Sequence, residues 1–280
     1  MRIGQIRSNG AIVAAVFEED GAHQIPAHTL YDLIRRASAE SISLTELAHS
    51  LASRAADPAP PILPIHPPEV WACGCTYEMS AAFRDAEHGT REGMYAYVYK
   101  EARPEVFFKG TARVCVGPEK NIGIRSDSKF TAPEPELAVV LGHGGEILGY
   151  TLANDVSAWD IERENALYLP QSKVYNCCCA LGPVIVTADE LKDPYNLTLT
   201  CTITRAGKKL FEGSVSTSRL HRKLETLVEY LLKANNVPAG SVLLTGTGII
   251  VKEDAALAVG DKISISAPEI GTLTNTAVTV

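Results

Sequence analysis

The chain has 280 residues and a formal net charge of −7, from 26 Lys and Arg against 33 Asp and Glu. Hydrophobic residues make up 46% and charged residues 21%, enough apolar surface to offset chain entropy, which excludes a dominantly disordered chain. The mild acidity argues against a nucleic-acid or anionic-membrane surface, since those need clustered Lys and Arg.

From the N-terminus, Arg2 to Arg7 and Ala11 to Phe17 read as strands flanking Ser8-Asn9-Gly10, and Asn-Gly is a strong hairpin signal. Glu19-Asp20-Gly21 marks a second turn. The apolar run Ala11 to Phe17 is far short of the roughly 20 residues that span a membrane. Acidic residues and no cleavage site follow it, so it reads as a strand rather than a targeting segment. Two short helices are predicted, over Thr29 to Ala37 and Leu44 to Arg54. Six prolines between Pro58 and Pro68 forbid a helix or a central strand there. This stretch, 58–68, is read as a linker between a small N-terminal β module with short helices (1–57) and a main body (69–280).

In the body, Val114–Val116, Leu137–Leu141, Ile147–Ala153, Val184–Thr187, Leu197–Thr204, Ser241–Thr245 and Lys262–Ser266 read as strands. The apolar stripe Leu220, Leu224, Leu227, Leu231 predicts a helix from Ser218 to Asn235. Arg219, Arg222 and Lys223, followed by Glu225 and Glu229, read as its solvated side. A second helix is predicted to open at Ser157, with Asp160 completing a capping box. Strands do not alternate regularly with helices, so the fold class expected is a β-rich α+β body and not a doubly wound sheet. The seven cysteines form no paired C-x-x-C, and Cys177-Cys178-Cys179 cannot easily bridge one another. They read as small buried thiols of a reducing, cytoplasmic protein, with no zinc site and no disulfide frame. No dinucleotide fingerprint, Walker A sequence, H-E-x-x-H or G-x-S-x-G is present.

The most informative stretch is Pro133-Glu134-Pro135-Glu136-Leu137-Ala138. Pro135 holds Glu134 extended, and residues two apart on an extended chain share a face. Glu134 and Glu136 are therefore expected side by side, where they repel unless a cation intervenes. Oxygen ligands alone select Mg²⁺, Mn²⁺ or Ca²⁺. Asp155, where the run Ile147 to Ala153 ends, offers a third oxygen. The plain alternative is an exposed edge strand with Asp155 capping a turn.

Pro135-Glu136-Leu137-Ala138, Asn154-Asp155-Val156-Ser157, Lys173, Gly182-Pro183 and Thr245-Gly246-Thr247-Gly248 together resemble the fumarylacetoacetate hydrolase family, over roughly Val70 to the C-terminus. The resemblance implies a mixed β roll, homodimers or homotetramers, and Mg²⁺ bound by Glu134, Glu136 and Asp155. Arg103 to Lys109, Glu164 to Lys173, and Thr76-Tyr77 with Ser80, Arg84 and Glu87 are similar to one branch, the dehydratases of 2-keto-3-deoxy sugar acids. The hydrolases of the family carry a Tyr-x-x-His-x-x-Glu pattern whose His–Glu dyad activates water. Here Ser80 and Phe83 stand at those offsets after Tyr77, and His88 lies outside the pattern as a surface histidine. The resemblance thus implies elimination from a pentonate to 2,5-dioxopentanoate, through a metal-stabilised enolate of a small 2-keto acid. Lys173 and Glu105 are the implied base and acid, in either order. Thr247, Lys109, Ser80 and Arg84 are the implied substrate contacts. Acylpyruvate C–C hydrolysis, decarboxylation, or a non-catalytic keto-acid-binding role are the alternatives.

Overall fold

The computed structural model describes residues 1–87 and 93–280. Asn9 and Gly10 both adopt left-handed backbone, φ 49° and 82°, the geometry a two-residue hairpin turn demands. They close β1 (Arg2–Ser8) on β2 (Ala11–Glu18), and β3 (Gly21–Ile25) completes the meander. Helix α1 (Leu30–Glu40) opens on a capping box between Thr29 and Asp32 and buries Leu30, Leu33, Ile34 and Ala37. Helix α2 (Leu44–Leu51) is capped by Ser43.

The proline-rich stretch 58–68 has no regular structure, yet it is fastened to the body. Ile62 donates its amide to Gln5 and Gln5 donates its side-chain amide to Leu63, while Leu63 and Ile65 are buried. After it come β4 (Val70–Gly74), α3 (Glu78–Glu87), α4 (Met94–Lys100), β5 (Glu105–Gly110), β6 (Cys115–Val116), β7 (Asn121–Ile124), β8 (Thr131–Ala132), β9 (Pro135–Leu141), β10 (Ile147–Asp155) and β11 (Ser157–Ala158). The remainder is α5 (Trp159–Glu164), α6 (Leu169–Lys173), β12 (Cys179–Thr187), β13 (Thr198–Arg205), β14 (Lys208–Ser216), α7 (Leu224–Leu232), β15 (Val242–Leu244), β16 (Lys262–Ala267) and β17 (Gly271–Thr279).

One large mixed sheet runs β3-β2-β1-β12-β10-β9-β15-β4-β5, with β6 also on β12. The N-terminal meander is thus hydrogen-bonded into the main sheet through β1 and β12. A second sheet runs β14-β13-β16-β17-β7. Strand β9 shows why the layers form. Leu137, Val139 and Leu141 join the core shared with Cys201, Ile203 and Ile265 of the second sheet. Ala138 and Val140 join the core beneath α1 and α2. Period-two alternation puts an apolar side chain on both faces, as a strand buried on both sides requires. Among the described residues, no helix is long and apolar enough to cross a membrane.

Two predicted helices are corrected. The Ser157 helix begins two residues later, at Trp159: Ser157 lies in β11, where its hydroxyl donates to the Asp155 carbonyl, and Asp160 accepts instead from Ser128 Oγ and Lys129 N. The Ser218–Asn235 helix is only Leu224–Leu232. Arg222 is the reason for its late start. Far from solvated, it is buried, and its guanidinium donates to the carbonyls of Cys75, Val98, Tyr99 and Glu101. A continuous helix would pull it away from these acceptors. Arg219 and Lys223 are exposed, as predicted. All seven cysteines are free, and Cys178 and Cys179 are completely buried.

Candidate metal and active site

Strands β9 and β10 are antiparallel neighbours with Ala153 opposite Glu136 and Asn154 opposite Pro135. That register sets Asp155 across from Glu134, and the Asp155 amide donates to the Glu134 carbonyl at 2.9 Å. Three carboxylates, Glu134, Glu136 and Asp155, thereby bring oxygens within 4.8 Å of one another, all buried. The edge-strand alternative fails because β9 is flanked by β10 and β15.

Each carboxylate is held differently. Glu134 accepts from Arg84 (2.9 Å) and the Trp159 indole (2.8 Å) on one oxygen and from Lys173 Nζ (2.9 Å) on the other. Burial raises its pKa, but Lys173 and Arg84 outweigh burial and hold it at about 2. Asp155 receives Lys173 Nζ at 3.2 Å and faces Lys109 Nζ at 2.5 Å. Among the described residues, Glu136 accepts only the Gly246 amide, at 2.6 Å. Burial, and then repulsion from Asp155 and Glu134, push its pKa well up.

Lys173 ends α6, a short helix with proline in its first turn. Its ammonium also donates to Ser157 Oγ at 2.6 Å. Burial alone would lower its pKa, yet Asp155 and Glu134 dominate and raise it. Lys109 is completely buried, and its ammonium is engaged by Asp155 and by the Lys173 and Val156 carbonyls. A small cavity beside the cluster is lined by Ser80, Arg84, Phe107, Lys173, Thr247 and Cys75, among others. Thr247 is thus beside the cluster, but the glycine turn before it gives its first amide to Glu136 rather than leaving it for an anion, and Thr247 Oγ1 accepts from Ile249.

Glu105 opens β5, opposite Gly74 of β4. A Cβ at Gly74 would lie 1.9 Å from Glu105 Oε2, so only glycine leaves the carboxyl its place. Cys75 Sγ donates to the same oxygen at 3.6 Å. Burial raises the Glu105 pKa. The Glu87 side chain and His88 lie outside the described positions.

Sequence reasoning missed Glu162 and Trp159. Glu162 is buried on α5, lies 3.7 Å from Arg84 and 3.9 Å from Lys173, and accepts from Ser172 Oγ at 3.3 Å. Their only signal was a carboxylate three residues after a tryptophan, which reads equally as a surface helix. Five carboxyl groups (Glu105, Glu134, Glu136, Asp155, Glu162) face three cations (Arg84, Lys109, Lys173). With Glu105 neutral as a proton donor, four carboxylates against three cations leave a formal negative excess, which in an oxygen-only donor set fits one hard dication.

Residues 77–278 match the family described as fumarylacetoacetate (FAA) hydrolase, C-terminal. The chain is 51% identical over 213 residues, 75% of its length and 72% of the relative's, to a 2-dehydro-3-deoxy-D-arabinonate dehydratase of Saccharolobus solfataricus. It is 42% identical over 258 residues, 90% of its length and 89% of the relative's, to a probable 2-keto-3-deoxyxylonate dehydratase of Haloferax volcanii. A solved structure of 2-keto-3-deoxy-D-arabinonate dehydratase complexed with magnesium and 2,5-dioxopentanoate superposes with a TM-score of 0.85 at 39% identity, covering 100% of this chain and 99% of that one. The mixed-sheet architecture is thus shared, and the chain belongs to the fumarylacetoacetate hydrolase family.

Proposed function

We propose that this protein is a magnesium-dependent dehydratase of a 2-keto-3-deoxy pentonate, releasing water and 2,5-dioxopentanoate. The observation that carries the reading is one cluster holding three carboxylates fit for a dication together with the Lys173 ammonium, with the separate Glu105 carboxyl nearby. Likeness to the two dehydratases supports it.

Glu134, Glu136 and Asp155 would hold the ion, which supplies Lewis acidity to the carboxylate and keto oxygens of a 2-keto acid. Lys173 takes the C3 proton as the neutral amine; with an ion held by Glu134 and Asp155, those carboxylates would no longer demand the lysine's charge. Glu105, whose pKa burial raises, gives its proton to the C4 hydroxyl, which leaves as water. The carboxylate left on Glu105 then takes a C5 proton and the Lys173 ammonium returns one to C3. The resulting enol becomes the C5 aldehyde with solvent. Ser80, Arg84 and Thr247 are the proposed substrate contacts. Lys109, with its donors already engaged, serves the cluster's structure instead.

Acylpyruvate hydrolysis lacks its machinery at the expected offsets. Ser80 stands in place of the histidine, and Phe83 in place of the glutamate packs its ring 5.4 Å from Trp159. The test is NMR of the protein with Mg²⁺ and both C4 epimers of 2-keto-3-deoxypentonate, with a chelator control. Metal-dependent 2,5-dioxopentanoate is the expected product. Pyruvate from an acylpyruvate, with both epimers untouched, would replace this reading by C–C cleavage.

A further inference from the structure

Beside the carboxylate cluster lies a second, larger cavity, about 470 Å³, lined by Cys75, Met94, Tyr95, Val98, Pro104, Glu105, Glu162 and Leu169, with Glu101 and Arg103 toward solvent. Cys75 lines this cavity and the small one at the cluster, so the two adjoin. Its wall is largely apolar, and Glu162 is a buried carboxylate within it that the proposed chemistry does not use.

The position of Glu162 relative to the cluster is fixed by two shared cations. Lys173 Nζ lies 2.9 Å from Glu134 and 3.9 Å from Glu162. Arg84 lies 2.9 Å from Glu134 and 3.7 Å from Glu162. Both approaches to Glu162 exceed hydrogen-bond length. Its one short partner among the described residues is the Ser172 hydroxyl, on Oε2. Glu162 therefore brings a buried carboxylate to the wall of this cavity, one cation's width from the carboxylates of the cluster. A buried carboxylate so placed is costly unless a donor reaches it.

Resting on the dehydratase reading, we infer that Glu162 is the specificity-determining residue for the far end of the substrate and accepts a hydrogen bond from the C5 hydroxyl. A five-carbon acid with its keto-acid end at the cluster and its C4 hydroxyl at Glu105 has only its C5 hydroxyl left to place. Glu162 shares a cavity with Glu105. A site built to bond a hydroxyl rejects the analogue lacking it, because its own polar group is then left unpaired.

The experiment compares kcat/KM for 2-keto-3-deoxypentonate with that for 4-hydroxy-2-oxopentanoate, the same acid without its C5 hydroxyl, in wild type, Glu162→Gln and Glu162→Ala, each with Mg²⁺. Circular dichroism confirms folding, and the isosteric Gln variant guards against collapse of the site. Wild type is expected to prefer the hydroxylated acid, and both variants to lower that preference roughly 10- to 100-fold, as for a lost hydrogen bond to a charged group. If both substrates lose rate equally and the preference is unchanged, Glu162 serves only Lys173 and Arg84 and the inference is overturned. If wild type eliminates water from neither acid, the dehydratase reading itself falls and takes this inference with it.

Discussion

Among the described residues, two clusters bring three potential metal ligands together: Glu134, Glu136 and Asp155 between the sheets, and Glu18, Asp20 and His23 at the N-terminal meander. Their environments are opposite. The side chains of Glu134 and Asp155 are 4% and 2% exposed, whereas those of Glu18 and Asp20 are 55% and 65% exposed. At the meander His23 Nε2 pairs with Asp20 at 2.9 Å and Nδ1 with the Ser53 carbonyl, so the group settles its own charge with help from water. In the interior burial withdraws the carboxylates from bulk solvent, and three cations still leave formal negative charge unmatched. Proximity of ligands does not make a metal site; a charge deficit that the protein cannot relieve by itself does.

The comparison predicts its largest effect on metal binding. Glu136→Gln should abolish measurable Mg²⁺ binding by calorimetry and lower turnover at least ~10³-fold, since a Lewis acid supplies several kcal/mol. Asp20→Asn should leave both within about twofold. Equal loss in the two variants would erase the distinction. Next in size, Arg84→Ala strips Glu134 of a buried partner, and urea denaturation should show about 3–5 kcal/mol of lost stability. A loss below about 1 kcal/mol would mean that Lys173 and Trp159 suffice.

Chelation comes third. Mg²⁺ at a hundred times its dissociation constant should add ~2.7 kcal/mol of stability, removed by EDTA. In chelator the effect of Glu136→Gln should reverse sign and raise Tm, because Glu136 is the carboxyl that burial and its neighbours penalise. A lower Tm in chelator would show that its bond to Gly246 outweighs that penalty.

The smallest effect belongs to the meander. His23 is raised above its ordinary 6.5, first by its bond to Asp20, and Asp20 is lowered from 3.8, first by its bond to His23. A raised histidine stabilises fully below pH 6.5 and loses that contribution as pH climbs through its folded value. A lowered aspartate stabilises above pH 3.8 and loses its share as pH falls below it. The Tm gap between wild type and Asp20→Asn should therefore be widest between pH 3.8 and 6.5, and close above it. A pH-independent gap would mean that the pair is not ionic.

Much of this was legible in the chain. Asn9-Gly10 fixed a turn, Pro135 an extended residue, and the Glu134–Glu136 spacing a shared face; these are local effects that a few residues decide. Lys173 was legible through its motif. What stayed hidden depends on partners distant in sequence. Arg222 is written like any surface arginine, and only carbonyls from Cys75 and residues 98–101 reveal its burial. Strand β17 was missed because its inward positions include a polar residue, Asn275, whose amide donates to the Gly117 and Lys120 carbonyls. Glu162 became visible as a site residue only beside Arg84 and Lys173.

The order of the large sheet has a further consequence. The three carboxylates stand on or beside β9 and β10, both paired on two sides, whereas Glu105 begins β5, which is paired on one side alone. Backbone amides of a paired interior exchange their hydrogens only in rare, large openings, and those of an edge strand in frequent small ones. Deuterium uptake should climb from β9 outward across β15 and β4 to β5. The molecule would grip its metal with its slowest-opening strands and offer its proton donor from one of its fastest, so the two halves of one reaction run on different clocks within a single sheet.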